Sequence, residues 1–199
     1  MKKILILFAH PRFEGSITNK ALVQKVRHLE GVTFHDLYEH YPDFHIDISF
    51  EKELLKHHDV IIWHHPFYWY SCPPLMKQWI DLVLEFGWAY GPDGNALKGK
   101  KCLQIITTGG SSKVYRAEGR NMYSINEFLR PFEQTARLCS MEYLTPFAVM
   151  GTHRLTATDL EKFANQYLEI IEHLQQERPL QSIERCVFQT DIPELENIN

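Results

Sequence analysis

Apolar residues come in unbroken runs at residues 4–9 and 60–63; two further strand candidates follow at 102–106 and 143–150, with a weaker one at 32–37. Continuous rather than alternating runs mark strands that are covered by helices on both faces. Between them, residues 18–29, 49–57, 74–86, 124–139 and 158–176 place apolar side chains at helical spacing. In the third of these segments Leu75, Trp79, Leu82, Val83 and Phe86 share one face. Pro74 suits a first helical turn, and Thr158 with Glu161 predicts a capping box for the last helix. This alternation of strand and helix predicts an α/β fold, a doubly wound five-stranded parallel sheet with strand order 2-1-3-4-5.

Composition narrows the function classes. The chain has 199 residues, 44% hydrophobic and 23% charged, which predicts one globular domain over residues 1–178 followed by a tail, 179–199, without clear periodicity. A net charge of -4 gives no diffuse attraction to nucleic acid, so no nucleic-acid partner is expected. The longest aliphatic run is far short of the roughly 20 residues of a membrane helix, and no cleavage site follows it, so the expected location is cytoplasmic. The four cysteines, Cys72, Cys102, Cys139 and Cys186, are widely spaced and read as reduced, mostly buried thiols. His57-His58 and His64-His65 lack the spacing of a metal site and read as packing residues; no metal is expected.

In an open parallel sheet, ligands bind beyond the carboxyl ends of the strands, near the point where strand order reverses. The segment after the first strand, His10 to Asn19, bunches Gly15, Ser16, Thr18 and Asn19 at a helix start. Backbone N–H groups and hydroxyls there can cradle an anion without a lysine, although the same residues also serve as ordinary helix caps. Neither Gly-Lys-Ser/Thr nor G-x-G-x-x-G is present, which disfavours a nucleoside triphosphatase. After the third strand, Phe67-Tyr68-Trp69-Tyr70 lie between prolines, an aromatic shelf for a planar ligand. After the fourth, Thr107-Thr108-Gly109-Gly110 lets the backbone approach a ligand edge, and Tyr115 offers a hydroxyl on the same loop. Phosphate cradle, aromatic shelf and Gly-Gly loop together fit flavin mononucleotide (FMN).

His10-Pro11 with Ser16-x-x-Asn19, Pro66 to Ser71 with Pro73-Pro74-Leu75-Met76-Lys77, Phe86 to Gly91, Leu97 to Lys100 and Thr107 to Gly110 occur in one order. That series resembles the flavodoxin-like NAD(P)H:quinone oxidoreductases. Within these it is most similar to the bacterial branch that includes the ancillary subunits of glutathione-gated potassium efflux systems. The resemblance spans roughly residues 2 to 175 and implies a flavodoxin-like fold. It implies that NADH or NADPH gives hydride to FMN, which then reduces a quinone by two electrons. FAD is the alternative cofactor, but relatives that bind it tend to carry longer loops and tails.

By the same resemblance, Ser16, Ile17, Thr18 and Asn19 hold the flavin phosphate with His10 beside it. Pro66, Phe67, Tyr68 and Trp69 flank the isoalloxazine, and Thr107, Thr108, Gly109 and Gly110 contact its pyrimidine edge. Tyr115 falls where eukaryotic members have a tyrosine that manages charge on the reduced flavin. Asn121 stands where those members have a histidine, so a Tyr-His proton relay does not carry over. Trp88 and Tyr90 would wall the site, in this family often from the partner of a homodimer. Lys113, Arg116 and Arg120 are candidate attractors of dinucleotide phosphates, with solvated surface charge the stronger reading. Two other roles stay open: a flavodoxin-type electron carrier, disfavoured by the absence of strong acidity and by His10-Pro11, and a regulatory subunit docked on a membrane potassium-efflux transporter.

Overall fold

The computed structural model describes residues 1–178; the tail and Cys186 lie outside the described residues. The strands are β1 (Ile4–Phe8), β2 (Val32–Asp36), β3 (Val60–Pro66), β4 (Lys101–Thr108), β5 (Glu142–Tyr143) and β6 (Phe147–Met150). All pairings are parallel, in the order β2-β1-β3-β4-β5, with β6 also on β4. This is the expected order 2-1-3-4-5, with the fifth strand in two pieces. The break falls between Tyr143 and Phe147, where Pro146 has no N–H to give the ladder.

Alternate residues of each central strand feed two cores. Leu5, Leu7, Ile61 and Trp63 pack with α3 (Ile48–Lys56), α4 (Pro74–Val83) and α6 (Arg130–Leu138). Ile4, Ile6, Val60, Ile62 and Ile105 pack with α1 (Ile17–Val26) and α7 (Ala157–Gln175). Each fully buried aliphatic side chain contributes about 1.5–3 kcal/mol, so a sheet buried on both sides is the main source of stability.

Several helix bounds differ from expectation for identifiable reasons. Residues 124–139 form α5 (Ile125–Phe128) and α6, because Pro131 cannot donate to the preceding turn. The expected third helix ends at Val83 rather than Phe86, and Phe86 is exposed. The capping box of α7 uses Thr156 and Asp159, not Thr158 and Glu161. Glu161 instead pairs with Lys25 of α1 at 2.6 Å. An added turn, α2 (Leu37–His40), is capped by Asp36, and Asp47 caps α3. The strand expected to stop at Trp63 continues through His64, His65 and Pro66, all paired with β4.

One buried charge ties the edge of the sheet to the helices. Glu51 of α3 is fully buried and accepts hydrogen bonds from His35 Nε2 at 2.6 Å, Tyr41 Oη at 2.6 Å and Trp79 Nε1 at 2.7 Å. Burial alone would raise its pKa. The bond and charge of His35, with the Tyr41 and Trp79 donors, outweigh burial and hold it below its usual 4.5. A depressed folded-state pKa stabilises the fold above the unfolded value and stops doing so as pH falls through the folded value. Glu51→Gln therefore should lower stability at pH 7 by about 1–3 kcal/mol. The gap from the parent protein should shrink as pH drops below about 4.5. Urea midpoints of both proteins across that range provide the check; a gap that stays constant would remove Glu51 from the acid limb.

Candidate functional site

The carboxyl ends of β1, β3 and β4 open onto one rim. The β3–β4 register brings Pro66 level with Thr107, and the pairing continues past it as the Phe67 N–H donates to the Thr107 carbonyl at 2.8 Å. On the other side the Ala9 N–H donates to the His64 carbonyl at 3.0 Å. The three loops expected to carry chemistry thus start as neighbours.

At the start of α1, Ser16 is the N-cap and its Oγ accepts from the Asn19 N–H at 3.3 Å. The N–H groups of Ile17 and Thr18 have no acceptor among the described residues, as at any helix start. The Ile17 side chain points to solvent, so only its backbone can serve a ligand. Thr18 is buried, and its hydroxyl makes no hydrogen bond among the described residues. His10 is also buried; its Nδ1 accepts from the Arg12 N–H at 3.1 Å, which leaves Nε2 for another partner. Burial lowers its pKa, only partly opposed by a backbone hydrogen bond, so the ring is neutral at pH 7. Amides, a hydroxyl and a neutral imidazole are a donor set suited to a phosphate, and the acidic residue of the segment, Glu14, is exposed and paired with Lys20 at 2.8 Å. The chemistry of these residues fits the phosphate of a flavin.

Asn19 behaves differently from its neighbours. It is buried, and its side chain points inward: Nδ2 donates to Ser16 Oγ at 2.9 Å and to Thr107 Oγ1 at 3.0 Å, while Oδ1 faces His64 Nε2 at 3.1 Å. Sequence reasoning set it beside Ser16 as a phosphate contact, and could not foresee its partners 45 and 88 residues away.

The shelf after β3 is a tight turn. The Ser71 N–H donates to the Tyr68 carbonyl at 2.9 Å, and Trp69 and Tyr70, the two central residues, have φ of 50° and 63°. Positive φ at both positions is the type I′ geometry normally given to Asn or Gly. The turn holds the Trp69 ring 93% exposed, whereas Phe67 is buried beneath it. Tyr68 meets the His10 ring edge-on at 6.2 Å, joining shelf to cradle, and Tyr70 stacks on Phe128 at 5.0 Å.

After β4, Thr107 and Thr108 are buried. A Cβ at Gly109 would lie 2.7 Å from the His153 ring, and one at Gly110 2.9 Å from Tyr115 and Val114. The two glycines thus admit side chains of their own chain, a use the sequence did not suggest. Thr108 Oγ1 and the Tyr115 hydroxyl are 2.7 Å apart, and the Gly110 N–H donates to the same Oγ1 at 3.3 Å. Phe67, Trp69, Tyr70, Gly110, Val114, Tyr115, Arg120 and Asn121 line a cavity of about 300 Å³. Asn121 faces Tyr70, whose hydroxyl lies 3.5 Å from its Oδ1, and not Tyr115. Lys113 and Arg116 are exposed outside this lining; Trp88 and Tyr90 also lie outside it, Trp88 beneath the Lys52 ammonium.

The histidines that the sequence set aside as packing residues have partners of their own. His64 and His65 are fully buried and neutral, burial lowering their pKa to about 3 and about 4. His65 donates from Nδ1 to the Pro66 carbonyl, and its Nε2 faces Gln104. His57 and His58 bond the carbonyls of Glu53 and Leu54. Cys72, Cys102 and Cys139 are free thiols whose pKa values burial pushes up.

A family described by its flavodoxin-like fold, Flavodoxin_2, matches residues 2–174. The chain belongs to this family. Among its flavodoxin-like relatives is the glutathione-regulated potassium-efflux system ancillary protein KefG of Erwinia tasmaniensis, 45% identical over 171 residues, 86% of this chain and 93% of the relative. Among solved structures, the general stress protein 14 of Treponema denticola in complex with FMN is 42% identical with a TM-score of 0.83, covering 87% of this chain and 99% of that one. An NADPH-quinone reductase from P. pentosaceus is 31% identical with a TM-score of 0.78, covering 84% and 96%.

For this member of the flavodoxin-like family the shelf turn is separable from stability. An L-residue in the left-handed region costs about 1–2 kcal/mol, while glycine loses about 0.5–1 kcal/mol through chain entropy. Trp69→Gly should therefore melt at or above the parent temperature while losing affinity for planar aromatic ligands. A melting temperature several degrees lower, with ligand affinity unchanged, would show that Trp69 serves packing instead.

Proposed function

We propose that the protein is an FMN-dependent NAD(P)H:quinone oxidoreductase. The observation that carries this reading is the convergence at one rim of an anion cradle of amides, hydroxyls and a neutral imidazole, an aromatic shelf and an aromatic-walled cavity. The FMN-bound relative from Treponema denticola and the quinone reductase from P. pentosaceus support it. A bound flavin would supply two-electron chemistry between NADH or NADPH and a quinone. The Ile17 and Thr18 amides, the Ser16 and Thr18 hydroxyls and His10 Nε2 would hold its phosphate. Pro66 to Trp69 would flank the ring, and Thr107 to Gly110 would meet its pyrimidine edge. The cavity beside Tyr115 receives each substrate in turn and keeps water from the exchange. A homodimer in which the partner's Trp88 and Tyr90 close this slot belongs to the same proposal.

A second role as an ancillary subunit of a potassium-efflux transporter is favoured by the KefG relatives, 45% identical and above. It is compatible with the first, because the proposed redox exchange needs only the rim. No described helix is long and apolar enough to cross a membrane.

Gently purified protein should be yellow, and mass analysis of the released chromophore should give FMN rather than FAD. A colourless protein that takes up neither flavin would end this reading.

Tyr115 supplies a separate test. Its hydroxyl, aligned by Thr108, stabilises negative charge at the pyrimidine edge of the reduced ring more than the neutral form, so its loss should slow the reaction without releasing flavin. In Tyr115→Phe the ring and its packing against Phe67 and Phe128 remain. Stopped-flow reduction by NAD(P)H should slow by about 1–3 kcal/mol in barrier, roughly five- to 150-fold. An unchanged rate would leave Tyr115 with a packing role only.

A further inference from the structure

We infer that Asn19 is a positioning residue, which acts through Ser16 by turning that hydroxyl into an outward-facing donor for the flavin phosphate. The inference rests on the flavin reading above, and on geometry internal to the chain. Ser16 Oγ receives two hydrogen bonds, from the Asn19 backbone N–H at 3.3 Å and from Asn19 Nδ2 at 2.9 Å. A hydroxyl oxygen has two lone pairs and one proton. With both lone pairs engaged from the inside, the remaining capacity of Ser16 is donation, and no acceptor for it exists among the described residues. A ligand oxygen that carries negative charge and offers only lone pairs is its natural partner.

What sets this polarity is the direction of the Asn19 amide, and two anchors decide that direction. On β4, Thr107 Oγ1 receives the second Nδ2 proton at 3.0 Å; on β3, His64 Nε2 lies 3.1 Å from Oδ1. With Oδ1 toward His64, the imidazole donates from Nε2 and its other nitrogen, Nδ1, is a bare lone pair. His64 Nδ1 is fully enclosed and has no partner among the described residues. If the amide were reversed, Nδ2 would donate to His64 Nε2, and the ring proton would move to the enclosed Nδ1. A buried N–H without an acceptor is among the least tolerated polar states in a protein interior, and a vacant lone pair on a neutral ring is tolerated better. His64 therefore selects the amide direction, and the amide selects the Ser16 proton's direction. The arrangement carries no net charge, so it directs a donor at an anion without placing a cation in the sheet.

Two measurements test this. The nitrogen-15 shifts of His64 in the flavin-free protein should report a proton on Nε2 and none on Nδ1; a proton on Nδ1 would overturn the inference outright. The second measurement compares dissociation constants for FMN and for riboflavin, which lacks the phosphate. Asn19→Leu keeps the side-chain size, and near-UV circular dichroism reports whether the fold is kept. Both Ser16→Ala and Asn19→Leu should weaken FMN relative to riboflavin by roughly ten- to a hundredfold, the weight of one charge-assisted hydrogen bond. In the Ser16→Ala background, Asn19→Leu should change that ratio little, because the residue acts through the missing hydroxyl. Additive losses would make Asn19 a direct phosphate ligand, and equal loss of both flavins would make it a merely structural one; either overturns the inference. If Asn19→Leu does not fold, the His64 measurement on the parent chain decides alone. Failure of the flavin reading looks different, since the parent chain would then bind neither flavin.

Discussion

Parallel pairing under two helical layers is the constraint from which the rim follows. A backbone amide buried on both faces of a sheet has no water to turn to and must pair with the neighbouring strand. β1, β3 and β4 satisfy this up to their last residues, Phe8, Pro66 and Thr108. Because the strands are parallel, those last residues lie on one edge, and each chain segment leaves the sheet beside the other two. The cradle, the shelf and the Gly-Gly loop are neighbours because the ladder ends there, with no contact between the loops needed to gather them. Tyr68 against His10 and Phe67 under Tyr115 then adjust an arrangement that is already in place.

The interior admits polar groups under the same demand, and the three cases differ in charge. Glu51 is charged and survives burial because three donors surround its two oxygens. Removing one partner of such a group leaves a charge without compensation, which costs more than the set of bonds contributes in net stability. His65 is linked through Gln104 to Tyr143 Oη, and needs no charge because donor and acceptor alternate along the line. His64 and Asn19 likewise stay neutral. The charged cluster sits at the β2 edge among α3 and α4, whereas the neutral ones sit under the candidate rim. A phosphate at that rim would meet amide dipoles and hydroxyls instead of an ionised group in the sheet.

Fold class, strand order and the three loops were legible because they rest on short-range signals: unbroken apolar runs, helical spacing, and glycine or proline at the ends. The errors fall where a long-range partner overrode a local signal. Thr156-x-x-Asp159 and Thr158-x-x-Glu161 are both capping patterns, and only the position of Lys25 on α1 shows why Glu161 points away from the helix start. His64 and His65 look like the end of an apolar strand, yet pair in the ladder because Asn19 and Gln104 receive their nitrogens. The left-handed turn at Trp69-Tyr70 carries no glycine or asparagine to announce it. Nor does a neighbouring-residue pattern reveal that Gly109 makes room for His153. At the candidate site, the sequence placed the loops at one rim, and the direction of each side chain was not readable from it.

The shelf turn shows why direction matters. An ordinary loop could place Trp69 in the left-handed region only by giving up stability, and two such residues in succession cost on the order of 2–4 kcal/mol. Local sequence gives no relief, so the surroundings must hold the turn: the Tyr68–Ser71 pairing closes it, Tyr70 rests on Phe128, and Pro73-Pro74 fix the chain that follows. Strain kept by so many independent contacts is consistent with a requirement that the backbone alone does not have. The exposed indole supplies that requirement. A planar ligand stacking on a fixed ring loses less orientational freedom than one that must also order a mobile loop, so part of the ordering is completed when the chain folds. The aromatic wall is then stable before any ligand arrives, and the energy stored in Trp69 and Tyr70 is the physical counterpart of that readiness.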